Sequence, residues 1–405
     1  MSERWRDVAA AACLVTADGS VRPTIFAEMS ALALRTGAAN LGQGFPDEDG
    51  PEWIRETAVD AIRAGRNQYP PGRGSSILRT AIAEHQQEHY GLAYDPEREV
   101  LVTAGATEAL AAAILALAGP GDEVLTIEPF YDSYAAAIAL AGATHTTVPL
   151  LPAGDGFRLD LDQLRARVTA RTRIILLNTP HNPTGTVLQN AELAAIAAEA
   201  QRVGAVVVSD EVYEHLTFDG VPHRPIATLP GMRDRTVTIS SAGKTFSLTG
   251  WKIGWACAPE HLVEALLAVK QYLTYSGGAP FQPAVAQALR NGASDIAALR
   301  AALDGRRELL LSGLDRAGFA ALRPDGTYFV CADASRLLSH EIPDGAAFAR
   351  WLPAHAGVAC VPVSAFCAAG SPTAEALANW VRFTFVKSES TIRAAVGRLS
   401  EIRAG

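Results

Sequence analysis

The sequence lacks paired cysteines, runs of basic residues and long apolar runs. Its five cysteines include no CxxC pair, which excludes a disulfide scaffold and indicates buried, reduced thiols in a cytoplasmic protein. Acidic residues outnumber basic ones by 43 to 35, and no Lys/Arg cluster supplies the positive field that nucleic acid or an anionic membrane requires. The apolar stretch near the N-terminus is broken by Thr16, Asp18 and Gly19 and is too short to span a bilayer. We therefore expect a cytoplasmic protein that binds neither nucleic acid nor a membrane.

Several common catalytic motifs are missing as well. The sequence contains neither GxGxxG nor GxxxxGK(S/T), so a nicotinamide-binding fold or a P-loop ATPase is poorly supported. The nine histidines form no group with metal-ligand spacing and no Ser/His/Asp cluster, so we expect no metal site. His181 and His215 lie near other polar motifs and are only weak candidates for carrying protons.

The sequence does contain an alternation of short β-branched runs with Ala/Leu-rich stretches of helical spacing. Because runs such as RIILLN and AVVVSD contain several consecutive apolar residues, we expect a mostly parallel sheet that is buried on both faces by helices, in an α/β domain at residues 45–290. Residues 1–44 and 291–405 are predicted to form a smaller α+β domain, with a long helix over about 293–318. The predicted strands of the large sheet are 99–104, 123–128, 173–178, 205–210 and 236–241.

Polar motifs follow these strands, and the carboxyl ends of parallel strands are where such sheets bind ligands. Lys244 follows the end of the fifth predicted strand, directly after the small residues Ala242 and Gly243. A lysine in a partly dry site is a nucleophile for an aldehyde, although most lysines are simply solvated. Asp210 ends an apolar strand, where its carboxylate either pairs with a cation such as a protonated pyridine or caps a turn. Tyr213, three residues later, can donate a hydrogen bond to the same ligand.

Other residues at these strand ends suit a planar, anionic ligand. Asn182 stands on a turn restricted by two prolines, and Tyr131 either stacks on a ring or belongs to the core. Small residues before an Ala-rich helix allow backbone N–H groups to approach a phosphate, although a helix cap is the ordinary interpretation of Thr107. The candidates for this phosphate site are Ala106, Thr107, Ser241 and Lys252.

Two further segments are candidates for binding substrate or a second subunit. Arg382 lies on one face of an alternating apolar strand, where a guanidinium either forms a structural ion pair or clamps a carboxylate in a bidentate manner. We favour the clamp. Tyr69 precedes a Pro/Gly-rich loop that is suited to reach out of one subunit.

Taken together, the motifs resemble those of fold type I, class I/II pyridoxal-phosphate aminotransferases, in the order expected between residues 40 and 385. Within this family the resemblance is strongest to the branch of kynurenine/glutamine transaminases, methionine aminotransferases and the actinobacterial N-succinyldiaminopimelate aminotransferases. It implies a large domain with a mostly parallel seven-stranded sheet covered by helices, plus a smaller α+β domain. The motifs are NLGQGFPDEDGP, NQYPPG, GATEAL, EPFYDSY, NTPHNPTG, SDEVYEHL, SSAGKTFSLTGWKIGW and VRFTF.

The resemblance also implies roles for individual residues. Lys244 would form a Schiff base with pyridoxal 5′-phosphate and then move a proton between the substrate Cα and the cofactor. Asp210 would pair with the pyridine nitrogen, and Tyr131 would stack on the ring. Tyr213 and Asn182 would hydrogen-bond to the phenolic oxygen. The phosphate would contact Ala106, Thr107, Ser241, Lys252 and, across a homodimer, Tyr69 of the other subunit. The substrate would contact Arg382, Gly44, Asn182 and Phe26.

The expected activity is amino transfer between an amino acid and a 2-oxo acid, with N-succinyl-L,L-diaminopimelate and 2-oxoglutarate as one possible pair. The alternatives are a kynurenine-, glutamine- or methionine-type aminotransferase, and a C–S β-lyase or specialised oxidase built on the same site. A cofactor-sensing transcription regulator would need a basic helix-turn-helix domain ahead of the fold, and residues 1–40 are too short to contain one.

Overall fold

The strands of this computed structural model, which describes residues 4–16 and 18–402, form three sheets. The five strands predicted for the large sheet are all present, within one residue of the predicted bounds. The strands are β1 (Ala39–Asn40), β2 (Val100–Ala104), β3 (Glu123–Glu128), β4 (Thr144–Ala153), β5 (Gly156–Leu159), β6 (Thr172–Asn178), β7 (Val206–Asp210), β8 (Thr236–Ser241), β9 (Ile253–Cys257), β10 (Ala320–Ala321), β11 (Phe329–Asp333), β12 (Val358–Ala359), β13 (Val361–Pro362) and β14 (Trp380–Thr384).

The helices alternate with the strands through most of the chain, as the sequence pattern predicts. The predicted long helix at 293–318 is observed two residues shorter, because it ends at Arg316. The helices are α1 (Arg4–Ala11), α2 (Ile25–Thr36), α3 (Glu52–Arg63), α4 (Ser76–Tyr90), α5 (Gly105–Leu117), α6 (Asp132–Ala141), α7 (Leu161–Arg167), α8 (Asn190–Val203), α9 (Ala242–Thr245), α10 (Glu260–Lys270), α11 (Phe281–Asn291), α12 (Ala293–Arg316), α13 (Gly345–Ala356), α14 (Pro372–Ala376) and α15 (Glu389–Leu399).

The large sheet has the strand order β2-β9-β8-β7-β6-β3-β4-β5. Strands β8, β7, β6, β3 and β4 are parallel to their neighbours in this series, whereas β9 runs antiparallel to both β8 and β2. Successive residues of β6 enter different cores: Ile174 packs with α5 and α6, and Ile175 packs with α7 and α8. Both faces are therefore covered by helices, which explains why β6 and β7 contain several consecutive apolar residues.

The sheet contains eight strands rather than the seven expected from the family resemblance. The extra strand, β5, pairs antiparallel with β4 at the edge of the sheet. A two-residue loop of Gly154 and Asp155 joins them, and Gly154 has a positive φ of 65°, a conformation that glycine adopts without strain. The sequence pattern gave no separate signal for β5 because a four-residue strand directly after a turn is too short for a clear alternation.

The smaller sheets bring the two ends of the chain together. Strands β10, β11, β14 and β13 form an antiparallel sheet, and β1 pairs in parallel with β12. The first helix, α1, lies elsewhere: it packs on α6 of the large unit, where Arg4 Nη2 donates to the carbonyl oxygen of Leu140 at 3.2 Å. The predicted division into residues 45–290 and residues 1–44 with 291–405 stays a prediction.

The cysteines form no disulfide bonds. All five cysteines are free, and four of them are buried. Among the described residues, none of the helices combines the length and the apolar character that crossing a bilayer demands.

Candidate active site

A cavity of about 480 Å³ opens at the carboxyl ends of the parallel strands. It is lined by side chains from loops and helix starts that are far apart in sequence. Of the residues for which the resemblance implies a role, Tyr69 alone does not line it, and this residue is 80% exposed. The predicted residues that the cavity brings together are Phe26, Gly44, Ala106, Thr107, Tyr131, Asn182, Asp210, Tyr213, Ser241, Lys244, Lys252 and Arg382.

Asp210 supplies a buried carboxylate at the end of β7. The hydroxyl of Tyr134 donates to its Oδ2 at 2.6 Å, and the backbone N–H of Val212 donates to its Oδ1 at 3.4 Å. Burial raises the pKa of Asp210 to about 6, although these two hydrogen bonds and the charge of Lys244 act in the opposite direction. A neighbouring cation would favour the ionised form of this carboxyl.

Lys244 lies on the short helix α9, which directly follows β8. Its Nζ donates to the hydroxyl of Tyr328 at 2.8 Å and to the carbonyl oxygen of Gly44 at 3.4 Å, and the Tyr328 hydroxyl donates to the same carbonyl at 2.6 Å. In residues 4–16 and 18–402 no carboxylate pairs with this amine. The amine is thus held at the cavity by two neutral groups.

The start of helix α5 and the adjacent residues of β8 and β9 offer groups that suit an anion. Gly105 has a positive φ of 74°, and a Cβ there would lie 3.3 Å from Lys252 Nζ. A Cβ at Gly254 would lie 2.5 Å from the carbonyl carbon of Gly105, so glycine at this position permits the backbones to approach closely. The free N–H groups of the first helical turn and the Lys252 ammonium, which has no hydrogen-bond or ion-pair partner among the described residues, suit a phosphate.

Arg382 is a buried guanidinium on β14, only 1% exposed. It donates to the side-chain oxygen of Asn182 and to the carbonyl oxygen of Gly42, each at 2.8 Å, and its face lies 4.0 Å from the ring centre of Phe329. Its Nε has no hydrogen-bond partner, and no carboxylate of the described chain lies within ion-pairing distance. The structural ion pair that the sequence had left open is therefore not observed among residues 4–16 and 18–402. Burial lowers the pKa of Arg382 to about 10, still above neutrality, so a buried positive charge faces the cavity with no counter-ion from the described residues.

The comparisons with known proteins agree with this geometry. Residues 36–399 match the family model described as aminotransferase class I and II. The chain belongs to this family. It is 57% identical to the probable N-succinyldiaminopimelate aminotransferase of Mycobacterium tuberculosis over 93% of this chain and 95% of that protein. It is 42% identical to the methionine aminotransferase of Escherichia coli, over 94% of this chain and 96% of that one.

The solved structures confirm the predicted fold class. The structure of N-succinyldiaminopimelate aminotransferase from Mycobacterium tuberculosis superposes with a TM-score of 0.91 at 56% identity, covering 94% of this chain and 97% of that one. The chain is therefore an aminotransferase of fold type I, as its motifs indicated. Members of the family use pyridoxal phosphate.

Three contributors to the aminotransferase site were missed by the sequence analysis. Tyr134 bonds to Asp210, and Tyr328 bonds to Lys244, as described above. Asn178 connects two functional segments, because its side-chain oxygen accepts from the N–H of Asn182 at 2.7 Å and its Nδ2 donates to the carbonyl of Asp210 at 2.8 Å. Tyr134 and Asn178 lie within the motifs EPFYDSY and NTPHNPTG, whereas Tyr328 lies in none, and without the tertiary contacts all three are indistinguishable from core residues.

The two histidines named as weak candidates lie outside the cavity lining. His181 is buried, and its Nδ1 lies 2.8 Å from the hydroxyl oxygen of Thr184. Burial lowers the pKa of His181 to about 4, which keeps this imidazole neutral. His215 belongs to a different group of side chains, described below.

We expect the buried carboxyl of Asp210 to make the cofactor-free protein less stable as the pH rises. Because the folded state has the higher pKa, it retains this proton between about pH 4 and pH 6 while the unfolded chain has released it, so stability falls across that window. Raising the pKa from 3.8 to about 6 corresponds to about 3 kcal/mol. Urea unfolding of the cofactor-free protein at pH 4.5 and pH 7 should show this loss in the wild type and not in Asp210→Asn.

The exposed Asp315 provides the control, since Asp315→Asn should retain the wild-type pH dependence. Identical pH dependence in the wild type and in Asp210→Asn would contradict the assignment of a destabilised carboxylate.

Proposed function

We propose that this aminotransferase binds pyridoxal 5′-phosphate in the 480 Å³ cavity and there transfers an amino group between an amino acid and a 2-oxo acid. The observation that carries the proposal is the buried guanidinium of Arg382, which forms no ion pair with a described residue and shares this cavity with the amine of Lys244 and the buried carboxylate of Asp210. When bound, the cofactor supplies an aldehyde carbon that bonds to amines and a cationic ring that accepts electrons from the substrate Cα.

The residues present fit the separate parts of this cofactor. Asp210 offers a carboxylate that a protonated pyridine nitrogen would stabilise in its ionised form. The phosphate would occupy the start of α5, where Lys252 has no partner in the described chain and Ser241 adds a hydroxyl. The ring of Tyr131 and the polar groups of Tyr213 line the same cavity and would contact the planar ring and its phenolic oxygen.

The chain's own groups then orient the substrate and move its proton. Arg382 would bind the α-carboxylate through two parallel hydrogen bonds. Asn182 Oδ1, which already accepts a hydrogen bond from the guanidinium, would fix the orientation of the guanidinium plane. A carboxylate held in this way restricts rotation of the substrate and directs one Cα bond toward Lys244. The Nζ of Lys244 would accept the Cα proton and return it to the cofactor carbon as a general base and acid.

Aromatic side chains close the substrate end of the cavity. The ring of Phe26 lies 5.5 Å from the Arg382 guanidinium carbon and packs edge-on against Phe366. Phe45 lines the same cavity and is half exposed. Substrate bound between these rings would displace water from the reacting atoms, which strengthens the charged contacts and limits hydrolysis.

For the substrate pair we propose N-succinyl-L,L-diaminopimelate and 2-oxoglutarate. The support is the 57% identity to the probable N-succinyldiaminopimelate aminotransferase of Mycobacterium tuberculosis along nearly the full length of both chains. The second candidate is an aminotransferase of the methionine, glutamine or kynurenine type. It is supported by the 42% identity to the Escherichia coli methionine aminotransferase and by 37% identity to human kynurenine–oxoglutarate transaminase 3.

We further propose that the enzyme is a homodimer in which Tyr69 completes the phosphate site of the other subunit. Tyr69 projects from the surface and contacts Tyr275 edge-on at 5.7 Å, while Tyr272 nearby in sequence is 85% exposed. Exposed aromatic rings on one surface are typical of protein interfaces. The cytoplasmic location indicated by the cysteine content stays a prediction.

A panel of amino donors would test the substrate assignment. With 2-oxoglutarate as acceptor, we expect N-succinyl-L,L-diaminopimelate to give a kcat/KM at least about tenfold above those of methionine, glutamine and kynurenine, a difference of about 1.4 kcal/mol. Glutamate formation is the measured product. A higher kcat/KM for one of the other donors would select the second candidate, and release of pyruvate and ammonia without an acceptor would indicate a β-lyase instead.

Lys244→Ala should bind the cofactor without covalent attachment and lose turnover by on the order of 10⁴-fold, because the variant has no amine to move the Cα proton. Borohydride reduction followed by peptide mass spectrometry should find the cofactor on the Lys244 peptide of the wild type and on no peptide of the variant. Lys252→Ala is the matched control, since it should keep the covalent adduct while binding the cofactor more weakly. Near-normal turnover of Lys244→Ala would refute the assigned base.

Arg382→Lys should raise the KM for the amino donor on the order of 100-fold, because a point charge replaces a two-pronged contact to a buried carboxylate. Steady-state kinetics with varied donor would measure this change, and cofactor absorbance would confirm that the cofactor site is intact. Arg336→Lys, at an exposed position, should leave the KM unaltered. An unchanged KM in Arg382→Lys would count against the clamp.

A further inference from the structure

A second cavity, of about 580 Å³, lies beside the segment that also forms part of the active site. Asp210, Val212 and Tyr213 line the first cavity, whereas Glu214 and His215 line the second. The second cavity is open to solvent, and nothing in the proposed aminotransferase mechanism uses it.

Three imidazoles meet at the edge of this cavity. His85 and His89 are one turn apart on α4, so their side chains project from the same face of the helix toward His215. The ring centres are 4.4 Å apart for His85 and His89, 4.9 Å for His85 and His215, and 5.0 Å for His89 and His215. One nitrogen from each ring lies within 4.8 Å of the others, and the Nε2 atoms of His85 and His215 are 2.8 Å apart.

A buried carboxylate accompanies the three rings. Glu214 is buried and lines the second cavity, and one of its oxygens accepts a hydrogen bond from the hydroxyl of Ser240. Its other oxygen, Oε2, has no hydrogen-bond partner among the described residues. A carboxylate beside three imidazole rings favours a cation.

We propose that His85, His89 and His215 form a binding site for one divalent transition-metal ion of the Zn²⁺ type. Imidazole nitrogens suit Zn²⁺, Ni²⁺ and Cu²⁺, whereas Mg²⁺ and Ca²⁺ require oxygen ligands that the three rings do not provide. Three histidines with water in a fourth position are a known tetrahedral arrangement for Zn²⁺. Glu214 would offset the charge of the ion, and the solvent-filled cavity would supply the water.

The distances in the structure require only a small adjustment to admit the ion. With zinc–nitrogen bonds of about 2.0–2.1 Å, tetrahedral ligand atoms lie roughly 3.3 Å apart. The Nε2 atoms of His85 and His215 are closer than this, at 2.8 Å. One ring nitrogen from each of the three histidines lies within 4.8 Å of the other two. Binding would replace the hydrogen bond between His85 and His215 and draw in His89. Because His89 is exposed, its ring can rotate without disturbing the core.

The proposed ion would join two parts of the fold that are far apart in sequence. His85 and His89 belong to α4, and His215 belongs to the segment that follows β7 and carries Tyr213. An ion bound to the folded state and not to the unfolded chain stabilises the protein by mass action. Thermal unfolding therefore provides a second measurement that does not depend on aminotransferase activity.

Titration of the cofactor-loaded enzyme with Zn²⁺, followed by calorimetry and by metal analysis after gel filtration, would test the site. We expect one Zn²⁺ per chain and a higher unfolding temperature with the ion than with a chelator. His89→Ala should weaken binding at least about tenfold, as expected for the loss of one ligand. His261→Ala removes an exposed histidine of α10 outside the cluster and should bind Zn²⁺ and catalyse amino transfer as the wild type does.

Substitution with Co²⁺ supplies a readout of geometry in the unmodified protein. The intense visible absorption of tetrahedral Co²⁺ should appear in the wild type and in His261→Ala, and should be lost or altered in His89→Ala. Circular dichroism would establish that His89→Ala is folded. Equal Zn²⁺ affinity in the wild type and in His89→Ala, no binding at all, or a Co²⁺ spectrum of the octahedral, fully hydrated type would each overturn the proposal. A failure of the amino-transfer assays would leave it unaffected.

Discussion

The site depends on two buried charges of opposite sign that do not neutralise each other. Asp210 stands at the end of a central parallel strand, and Arg382 stands in the antiparallel sheet of the other part of the molecule. Burying either one without a partner is unfavourable, as the raised pKa of Asp210 and the lowered pKa of Arg382 indicate. A protein retains such groups where a ligand with complementary charges completes them. A cofactor with a basic ring nitrogen and a substrate with a carboxylate are a ligand pair of this kind.

Hydrogen bonds between segments that are remote in sequence fix the positions of these charges. Asn178 joins the Asn182 turn to the backbone of Asp210, and Asn182 in turn accepts from Arg382. On the opposite wall, Tyr328 links Lys244 to the carbonyl of Gly44. The N-terminal region, the large sheet and the C-terminal region therefore all contribute groups to one cavity. Because each of these hydrogen bonds is short, between 2.6 and 2.8 Å, the side chains are positioned before any ligand arrives.

The sequence was sufficient to predict five of the eight strands described in the large sheet and many of the residues that line the cavity, for a physical reason. A strand buried on both faces is mainly apolar, so the carboxylate of Asp210 directly after the valines of β7 is conspicuous. Contacts made across the fold leave no such signal. Tyrosine is also common in protein cores, so the sequence does not distinguish Tyr134 and Tyr328 from core residues. Only the tertiary structure shows that their hydroxyls contact Asp210 and Lys244. The histidine cluster was missed for the same reason, since His215 is far in sequence from the α4 pair.

The two cavities share one segment, and the packing of that segment determines how strongly they can influence each other. Glu211, between Asp210 and Tyr213, is fully buried and is already bonded to Ser209 at 2.7 Å and to His223 at 2.8 Å. Its N–H also donates to the carbonyl of Ile239 at 2.8 Å. A segment fixed this firmly has little freedom left for an ion to remove or to redirect. Metal binding beside it should therefore act mainly on the stability of the folded state, and only weakly on the chemistry at Lys244, because coupling between sites requires an element with two arrangements of similar energy.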